Sequence, residues 1–164
     1  TEKTIFNLIG PLSSPAQVKR QVVGVYDKKW MEPFAEALKE NGVVHDFIVH
    51  SDDGMDEISP FSKTKIVELK NGNLKKFVID PKELGINLIK KENLKGKNAK
   101  YNSEKIIEIY KGASNEFSQA VALNVAAGLV VSGQENNFNF AFKSALNHLM
   151  SGKVYEHLLK IQSN

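Results

Sequence analysis

The chain has 164 residues, is 41% hydrophobic and 25% charged, and carries a formal net charge of +3; these values are typical of one globular domain with a buried core. It contains no cysteine, which excludes disulfides and thiolate metal sites and fits a cytoplasmic location. No uncharged apolar run is long enough for a membrane span, and so small a charge does not by itself indicate a nucleic-acid partner.

The first half of the chain predicts a strand, a helix and a second strand. Val22–Tyr26 is a continuous apolar run rich in β-branched residues, as in a strand that is buried on both faces. A helix follows, with Asp27 as its cap and Gly42 as its stop. Its apolar stripe consists of Trp30, Phe34, Ala37 and Leu38. Phe47–Val49 is the next strand, and the tight connections indicate a βαβ unit with a parallel strand pair.

A β-hairpin is predicted next. Lys65–Lys70 and Leu74–Ile79 are extended runs on either side of Asn71-Gly72. An Asn-Gly pair favours a type I′ turn, because both central positions of that turn need a positive φ. The hairpin ends at Asp80-Pro81, and the lysines between Lys90 and Lys105 that follow are interpreted as a solvated surface.

Four helices are predicted in the rest of the chain, the first of them beginning after Ser103. Their apolar positions, helix by helix, are Ile106, Ile107 and Tyr110; Phe117, Val121, Val125 and Gly128; Phe138, Ala141, Phe142, Ala145, Leu146 and Leu149; and Val154, Leu158 and Ile161. We therefore expect residues 1–164 to form a single α/β domain, with a partly parallel sheet, one antiparallel hairpin and flanking helices.

The main chemical candidate is the acidic pair Asp56-Glu57. It comes shortly after the second strand, where open α/β sheets place their ligands, and Gly54 allows a sharp turn before it. Two carboxylates on a tight turn suit Mg²⁺, which is often held by one or two carboxylates together with substrate phosphates. From the local sequence alone, a turn-capping Asp56 and a solvated Glu57 are the commoner alternative. Asp52-Asp53 adds two more acids, and a cluster of four favours a cation or a basic partner.

Other polar residues predict structural roles. His45 and His50 lie on opposite faces of an extended chain, so they do not form a metal site together, and a hydrogen-bonded structural role is expected for His50. Asn124 lies on an apolar stripe, and we expect it to bond to a loop backbone, because a buried amide needs partners. Thr4–Leu12 is predicted to be a loop held by its glycine and proline. The sequence contains no Gly-rich phosphate loop, Walker motif, nucleophile elbow or zinc-ligand spacing.

Taken in order, these segments resemble anthranilate phosphoribosyltransferase, and the resemblance runs through the whole chain. Thr4–Pro15 is similar to the family's TIFNLLGPLTNP segment, with Ser13-Ser14 where Thr-Asn is usual. Further segments that resemble the family are, in chain order, Gly24–Tyr26, Val49-His50, Gly54–Ser59 and Leu123-Asn124. Gly54–Ser59 corresponds to the family's metal loop.

Members of that family join anthranilate to phosphoribosyl pyrophosphate, giving N-(5′-phosphoribosyl)anthranilate and pyrophosphate in tryptophan biosynthesis. The resemblance implies a glycosyltransferase of the phosphoribosyltransferase type, in which Asp56 and Glu57 bind the Mg²⁺ that accompanies the pyrophosphate. It implies no covalent nucleophile. The family commonly has an arginine that helps to hold the anthranilate carboxylate where this chain has Lys3; lysine keeps the charge but loses the bidentate geometry.

The family's Gly-rich phosphate loop and its helical dimerisation domain lie upstream of the segments matched here. The resemblance therefore predicts that the chain is the C-terminal part of the catalytic α/β domain, that it is inactive alone, and that the parent enzyme is a homodimer. The apolar run that begins almost at the first residue agrees with this prediction, because a free terminus is usually polar.

Two alternatives stay open from the sequence. A pyrimidine nucleoside phosphorylase-like enzyme would have the same fold class, although the Asp56-Glu57 segment argues against it. A non-catalytic relative that binds nucleic acid or a protein partner is supported only by the mild positive charge and by the lysines between Lys90 and Lys105.

Overall fold

The structure is a computed structural model, and it describes residues 6–86 and 91–163. Its elements, in chain order, are helix α1 (Phe6–Leu12), strand β1 (Arg20–Gly24), helix α2 (Met31–Glu40), strands β2 (His45–Ser51), β3 (Thr64–Lys70) and β4 (Asn73–Ile79), and helices α3 (Ala99–Tyr110), α4 (Glu116–Ser132), α5 (Phe138–Met150) and α6 (Lys153–Gln162). Short 3₁₀ turns occupy Lys28–Trp30, Pro81–Leu84 and Lys91–Leu94.

The four strands form one sheet in the order β1-β2-β3-β4. β1 and β2 are parallel, with Val22 opposite Phe47, whereas the β2–β3 and β3–β4 pairs are antiparallel. The φ angles of Asn71 (50°) and Gly72 (78°) are both positive, as a type I′ turn requires. The predicted βαβ unit, hairpin and fold class are therefore confirmed.

Helices cover both faces of the sheet. On one face, α2 contributes Phe34 and Leu38 to a buried cluster that includes Ile48 of β2. On the other face, α4 and α5 form a second cluster with Phe47 and Val49. Successive residues of β2 point to opposite faces, so this strand is buried on both sides. Within residues 6–86 and 91–163, no helix combines the length and the apolar character that a bilayer crossing needs.

The loop predicted over Thr4–Leu12 is wrong in its described part, because α1 occupies Phe6–Leu12 with Pro11 inside it. Pro11 is the penultimate residue, so the N–H that it lacks removes a helical bond only in the last turn. The helix ends directly afterwards, and the Ser13 N–H donates to the Ile9 carbonyl oxygen at 3.0 Å.

Two predictions about the later helices are also wrong. α3 begins at Ala99 and not after Ser103, because the Asn98 side chain accepts the Tyr101 N–H and caps the helix there. On α4 the predicted apolar stripe lies on the wrong face, since Val121 and Val125 are exposed. The buried face of α4 consists of Ser118, Ala122, Leu123, Ala126, Ala127, Val130 and Val131. This helix is apolar on most sides, so periodicity alone does not select the buried face.

Candidate functional site

The acidic turn, defined here as Asp52–Glu57, follows β2 at the carboxyl ends of the two parallel strands. Gly54 has a φ of 87°, which is the left-handed conformation expected for a glycine at a sharp turn. Its N–H donates to the Ser51 carbonyl oxygen at 2.9 Å, and the Ser51 N–H donates to the Met55 carbonyl oxygen at 2.9 Å. These bonds fold the chain back on itself directly before the Asp56-Glu57 pair.

The four acids of the turn are of two kinds. Asp52 forms an ion pair with Lys65, and the Asp53 carboxylate accepts the Ser59 hydroxyl at 2.9 Å and the Met55 N–H at 3.2 Å. Asp56 and Glu57 are exposed, and within the described residues no donor bonds to their carboxylates. The Asp53 carboxylate therefore stabilises the turn and that of Asp52 is engaged in an exposed ion pair, whereas the Asp56-Glu57 pair keeps its oxygens available for a ligand.

A buried hydroxyl cluster holds the backbone of the turn. The Ser51 hydroxyl donates to the Glu57 carbonyl oxygen at 2.6 Å, and its oxygen lies 2.6 Å from the Thr64 hydroxyl oxygen. The Ser59 N–H donates to these two hydroxyl oxygens, at 3.2 Å and 3.1 Å. All three side chains are fully buried, so these bonds compete little with water and fix the backbone on either side of the exposed acids.

Two residues distant in sequence contact the backbone of the turn or of Ile58, the residue directly after it. Asn124 on α4 accepts the Ile58 N–H at 3.0 Å and donates to the Ile58 carbonyl oxygen at 3.1 Å, which confirms the role predicted for it. Gly24 ends β1 so close to the turn that a Cβ there would lie 1.6 Å from the Asp56 carbonyl oxygen. Sequence reasoning missed Gly24, although a glycine inside an apolar strand often marks a close backbone approach.

The two histidines of β2 bond to protein groups. His45 Nε2 lies 2.8 Å from the Glu68 carboxylate, and His50 Nδ1 donates to the Val25 carbonyl oxygen at 2.8 Å. The structural role predicted for His50 is confirmed. Its bond ties the end of β2 to the residue that follows β1, next to the acidic turn.

The carboxylates of Asp56 and Glu57 fit a Mg²⁺ ion whose remaining coordination positions are filled by a bound ligand. They do not form a site in which protein side chains supply every ligand. Within residues 6–86 and 91–163, no group of three or more His, Cys, Asp or Glu side chains could hold a metal ion. Mg²⁺ is commonly bound by one or two carboxylates, with waters and substrate phosphates in its other positions. Two adjacent free carboxylates at a sheet end meet that requirement.

An open cavity of about 460 Å³ lies beside the acidic turn, lined by Met55, Phe61, Glu92, Leu94 and Lys95. Lys95 and Lys97 are exposed, as predicted for the lysine-rich segment. Lys3, the predicted substrate-binding residue, lies outside the described residues, so its role stays a prediction.

Comparisons with known proteins give a consistent result. The profile of a family described as the glycosyl transferase family, a/b domain, matches residues 1–155. The anthranilate phosphoribosyltransferase of Pelagibacter ubique is 51% identical over 162 residues, which are 99% of this chain and 49% of that protein. The one from Caldanaerobacter subterraneus is 42% identical over 159 residues, which are 97% of this chain and 47% of that protein. The chain thus spans about half the length of the curated relatives it matches.

Solved structures show the same fold. Anthranilate phosphoribosyltransferase from Thermus thermophilus aligns with a TM-score of 0.87 at 31% identity, covering 97% of this chain and 47% of that one. The Saccharomyces cerevisiae enzyme in complex with PRPP and Mg aligns with a TM-score of 0.80 at 25% identity, covering 94% of this chain and 45% of that one. These alignments agree with the α/β architecture predicted from the sequence.

Proposed function

Because the chain belongs to the glycosyl transferase family through its a/b domain, we propose that it is the C-terminal part of the catalytic domain of an anthranilate phosphoribosyltransferase. Such an enzyme joins anthranilate to phosphoribosyl pyrophosphate and releases pyrophosphate, in the biosynthesis of the aromatic amino acid tryptophan. The observation that carries the proposal is the pair of free carboxylates, Asp56 and Glu57, at the strand ends. They occupy the position that the resemblance gives to the metal loop.

Asp56 and Glu57 are assigned to Mg²⁺ binding. Mg²⁺ bound there would supply positive charge against the leaving pyrophosphate. The chain's own contribution is a pair of oxygen-donor side chains on a backbone that Ser51 and Ser59 hold in place. Positive charge develops at ribose C1 as the pyrophosphate leaves, so the reaction needs electrostatic stabilisation and no covalent nucleophile.

Further assignments rest on the resemblance. Lys3 is assigned to the carboxylate of anthranilate. The phosphate-binding wall and the homodimer interface are assigned to polypeptide that corresponds to the other half of the relatives' length, and the chain alone is then inactive. The absence of cysteine supports a cytoplasmic location. The nucleoside phosphorylase-like and nucleic-acid-binding alternatives lack comparable support, because relatives at 51% and 42% identity carry the transferase name.

The test is a chimera in which the N-terminal half of the Pelagibacter ubique relative precedes this chain, a pairing that the 51% identity makes reasonable. With phosphoribosyl pyrophosphate and Mg²⁺ present, we expect the chimera to consume anthranilate, which is followed by the loss of anthranilate fluorescence. Asp56→Asn combined with Glu57→Gln should lower the rate about 100-fold or more, because it removes the metal-binding charge.

The matched control is Asp52→Asn in the same turn. This change also neutralises an acid, but it removes only an exposed ion pair with Lys65, so the rate should stay near that of the unsubstituted chimera. A folded chimera that consumes no anthranilate would contradict the proposed function. An unchanged rate in the double variant would instead remove Asp56 and Glu57 from the site.

A further inference from the structure

We infer that Asn124 is a positioning residue for the proposed metal site, and that it sets the direction of Asp56 and Glu57 by holding the backbone that follows them. The inference deepens the proposed function and rests on it. Asn124 bonds to neither carboxylate; it acts through Ile58, the residue directly after Glu57.

The Asn124 carboxamide bonds to both polar backbone groups of Ile58. Its Oδ1 accepts the Ile58 N–H at 3.0 Å, and its Nδ2 donates to the Ile58 carbonyl oxygen at 3.1 Å. Nδ2 also donates to the Ala120 carbonyl oxygen at 3.1 Å, one turn earlier on α4. Only an amide side chain offers this combination of two donors and an acceptor. Opposite residues of antiparallel strands can exchange two N–H···O bonds, and the two bonds to Ile58 follow the same pattern. The Asn124 side chain therefore satisfies the backbone of Ile58 as a neighbouring strand would.

Ile58 is a fixed anchor for the turn. Its side chain is 1% exposed and belongs to the same buried cluster as Phe47 and Leu123. Leu123 is the neighbour of Asn124 on α4, so the helix contributes an apolar residue to the cluster that contains Ile58 and a polar residue that bonds to the Ile58 backbone. Because Glu57 and Ile58 share a peptide unit, fixing Ile58 also restricts the direction in which Glu57 leaves the backbone.

The opposite side of the turn is closed by β1. A Cβ at Gly24 would lie 1.6 Å from the Asp56 carbonyl oxygen and 2.6 Å from its carbonyl carbon, so the strand end and the turn are in direct backbone contact. The turn is thus held between the end of β1 and α4, while the carboxylates of Asp56 and Glu57 remain exposed. A rigid backbone that carries free side chains is the arrangement a metal site needs, because ligand direction decides affinity.

A purely structural Asn124 and a positioning Asn124 differ in a measurable way. If the residue only stabilises the fold, its loss lowers the melting temperature and leaves the affinity of the folded chain for a cation unchanged. If it positions the turn, its loss also weakens cation binding by the chain that remains folded.

The test uses the full chain labelled with ¹⁵N and titrated with Mn²⁺ in the presence of inorganic pyrophosphate. Mn²⁺ binds at the same kind of oxygen site as Mg²⁺ and broadens the amide signals near it. We expect the signals of the acidic turn to broaden first. Asn124→Leu should raise the Mn²⁺ concentration for half-broadening roughly tenfold and speed hydrogen exchange at the Ile58 N–H. Asn124→Gln moves the amide by one methylene, so it should raise the Mn²⁺ concentration and the exchange rate by smaller amounts. If Asn124→Leu does not fold, Asn124→Gln is the variant that tests the inference.

Asn115→Ala is the matched control, because Asn115 caps α4 by accepting the Ser118 N–H at 3.0 Å and does not bond to the turn. It should lower the melting temperature and leave the Mn²⁺ response unchanged. An unchanged Mn²⁺ response in the Asn124 variants would overturn the positioning role and leave the metal site standing. If the turn of the unsubstituted chain does not broaden, or that of the Asp56→Asn, Glu57→Gln variant still does, the metal site falls and the positioning role with it.

Discussion

Asp46 is a buried carboxylic acid whose pKa is raised by its surroundings. It lies in β2 with its side chain fully buried, and neither of its oxygens accepts a bond from a described residue. Burial raises the pKa of Asp46 to about 7. The Gln21 side-chain amide opposite it in β1 is too poorly placed for a regular hydrogen bond, but its attraction to the carboxylate lowers that pKa to a smaller extent. The acid is therefore neutral in the folded chain at mildly acidic pH, where an unfolded chain would already have ionised it.

The consequence is a stability that falls as the pH rises. The pKa is about 7 in the folded chain and 3.8 for the unperturbed group, so the unfolded state binds fewer protons between these values and is increasingly favoured. Asp46→Asn removes this dependence. Asp46→Asn should therefore raise the unfolding free energy by an amount that increases with pH. At about 1.4 kcal/mol per pH unit, this amount should increase by roughly 3 kcal/mol between pH 5 and pH 7. Urea unfolding of both chains at pH 5 and pH 8 measures it.

Asp52→Asn serves as the control for this pH series, because it also replaces an acid but on the exposed turn. Its effect on the unfolding free energy should be small at both pH values. An Asp46→Asn effect of equal size at pH 5 and pH 8 would contradict the neutral form of the buried acid.

Residue types and spacing identified only part of the candidate site. The sharp turn before Asp56-Glu57 and the backbone role of Asn124 follow from local sequence, because a turn glycine and a polar residue on an apolar stripe are local signals. The metal-binding role of the pair rests on the family resemblance and stays a proposal. Local sequence does not show which of the four acids are engaged and which are exposed, because the partner of Asp52 is Lys65 on β3, which is distant in sequence. Gly24 was missed for the same reason: the group it contacts, the Asp56 carbonyl, lies far away along the sequence.

At the scale of elements, glycine has opposite effects in the hairpin and in α4. Gly72 lies in the β3–β4 turn with a φ of 78°, and a Cβ there would meet nothing within 4 Å. Gly128 lies on an exposed part of α4, and a Cβ there also has open space. Space is therefore not the issue at either position, and the backbone conformation decides the effect of a substitution.

The same substitution should accordingly have opposite signs at these two positions. Gly72→Ala should lower the unfolding free energy by about 1 kcal/mol, because a Cβ is strained at positive φ. Gly128→Ala should raise it by about 0.5–1 kcal/mol, because alanine loses less backbone entropy in a helix. Thermal unfolding of the two single variants measures both effects, and equal signs would show that these local conformations do not control stability.

The elements themselves were predictable where their signals are local. The βαβ unit and the Asn71-Gly72 hairpin are short-range features, and both are present. The hairpin attaches to β2 through a long-range pairing, with Ile48 opposite Val67. No local sequence signal predicts this pairing. The start of α3 was misplaced because the capping amide of Asn98 outweighs the apolar periodicity that begins later.

At the scale of the whole molecule, the candidate site is open on one side. Asp56 and Glu57 are exposed, and the described residues offer two free carboxylates but no larger cluster of metal-binding side chains. Electrostatic stabilisation of a leaving pyrophosphate is effective where water is excluded and donors converge from several directions. The relatives are about twice as long as this chain, which agrees with the proposal that another part of the enzyme completes the site.

The chain on its own should therefore fold and yet be inactive. Its sheet is covered by helices on both faces and its core consists of two buried clusters, so circular dichroism should show one cooperative thermal transition. Supplied with anthranilate, phosphoribosyl pyrophosphate and Mg²⁺, it should form no product, because a metal ion at two exposed carboxylates does not by itself orient both substrates or exclude water. The chimera with the relative's N-terminal half, assayed in parallel, shows that the substrates and conditions are competent. Product formed by the purified chain alone would mean that these residues already contain a complete site.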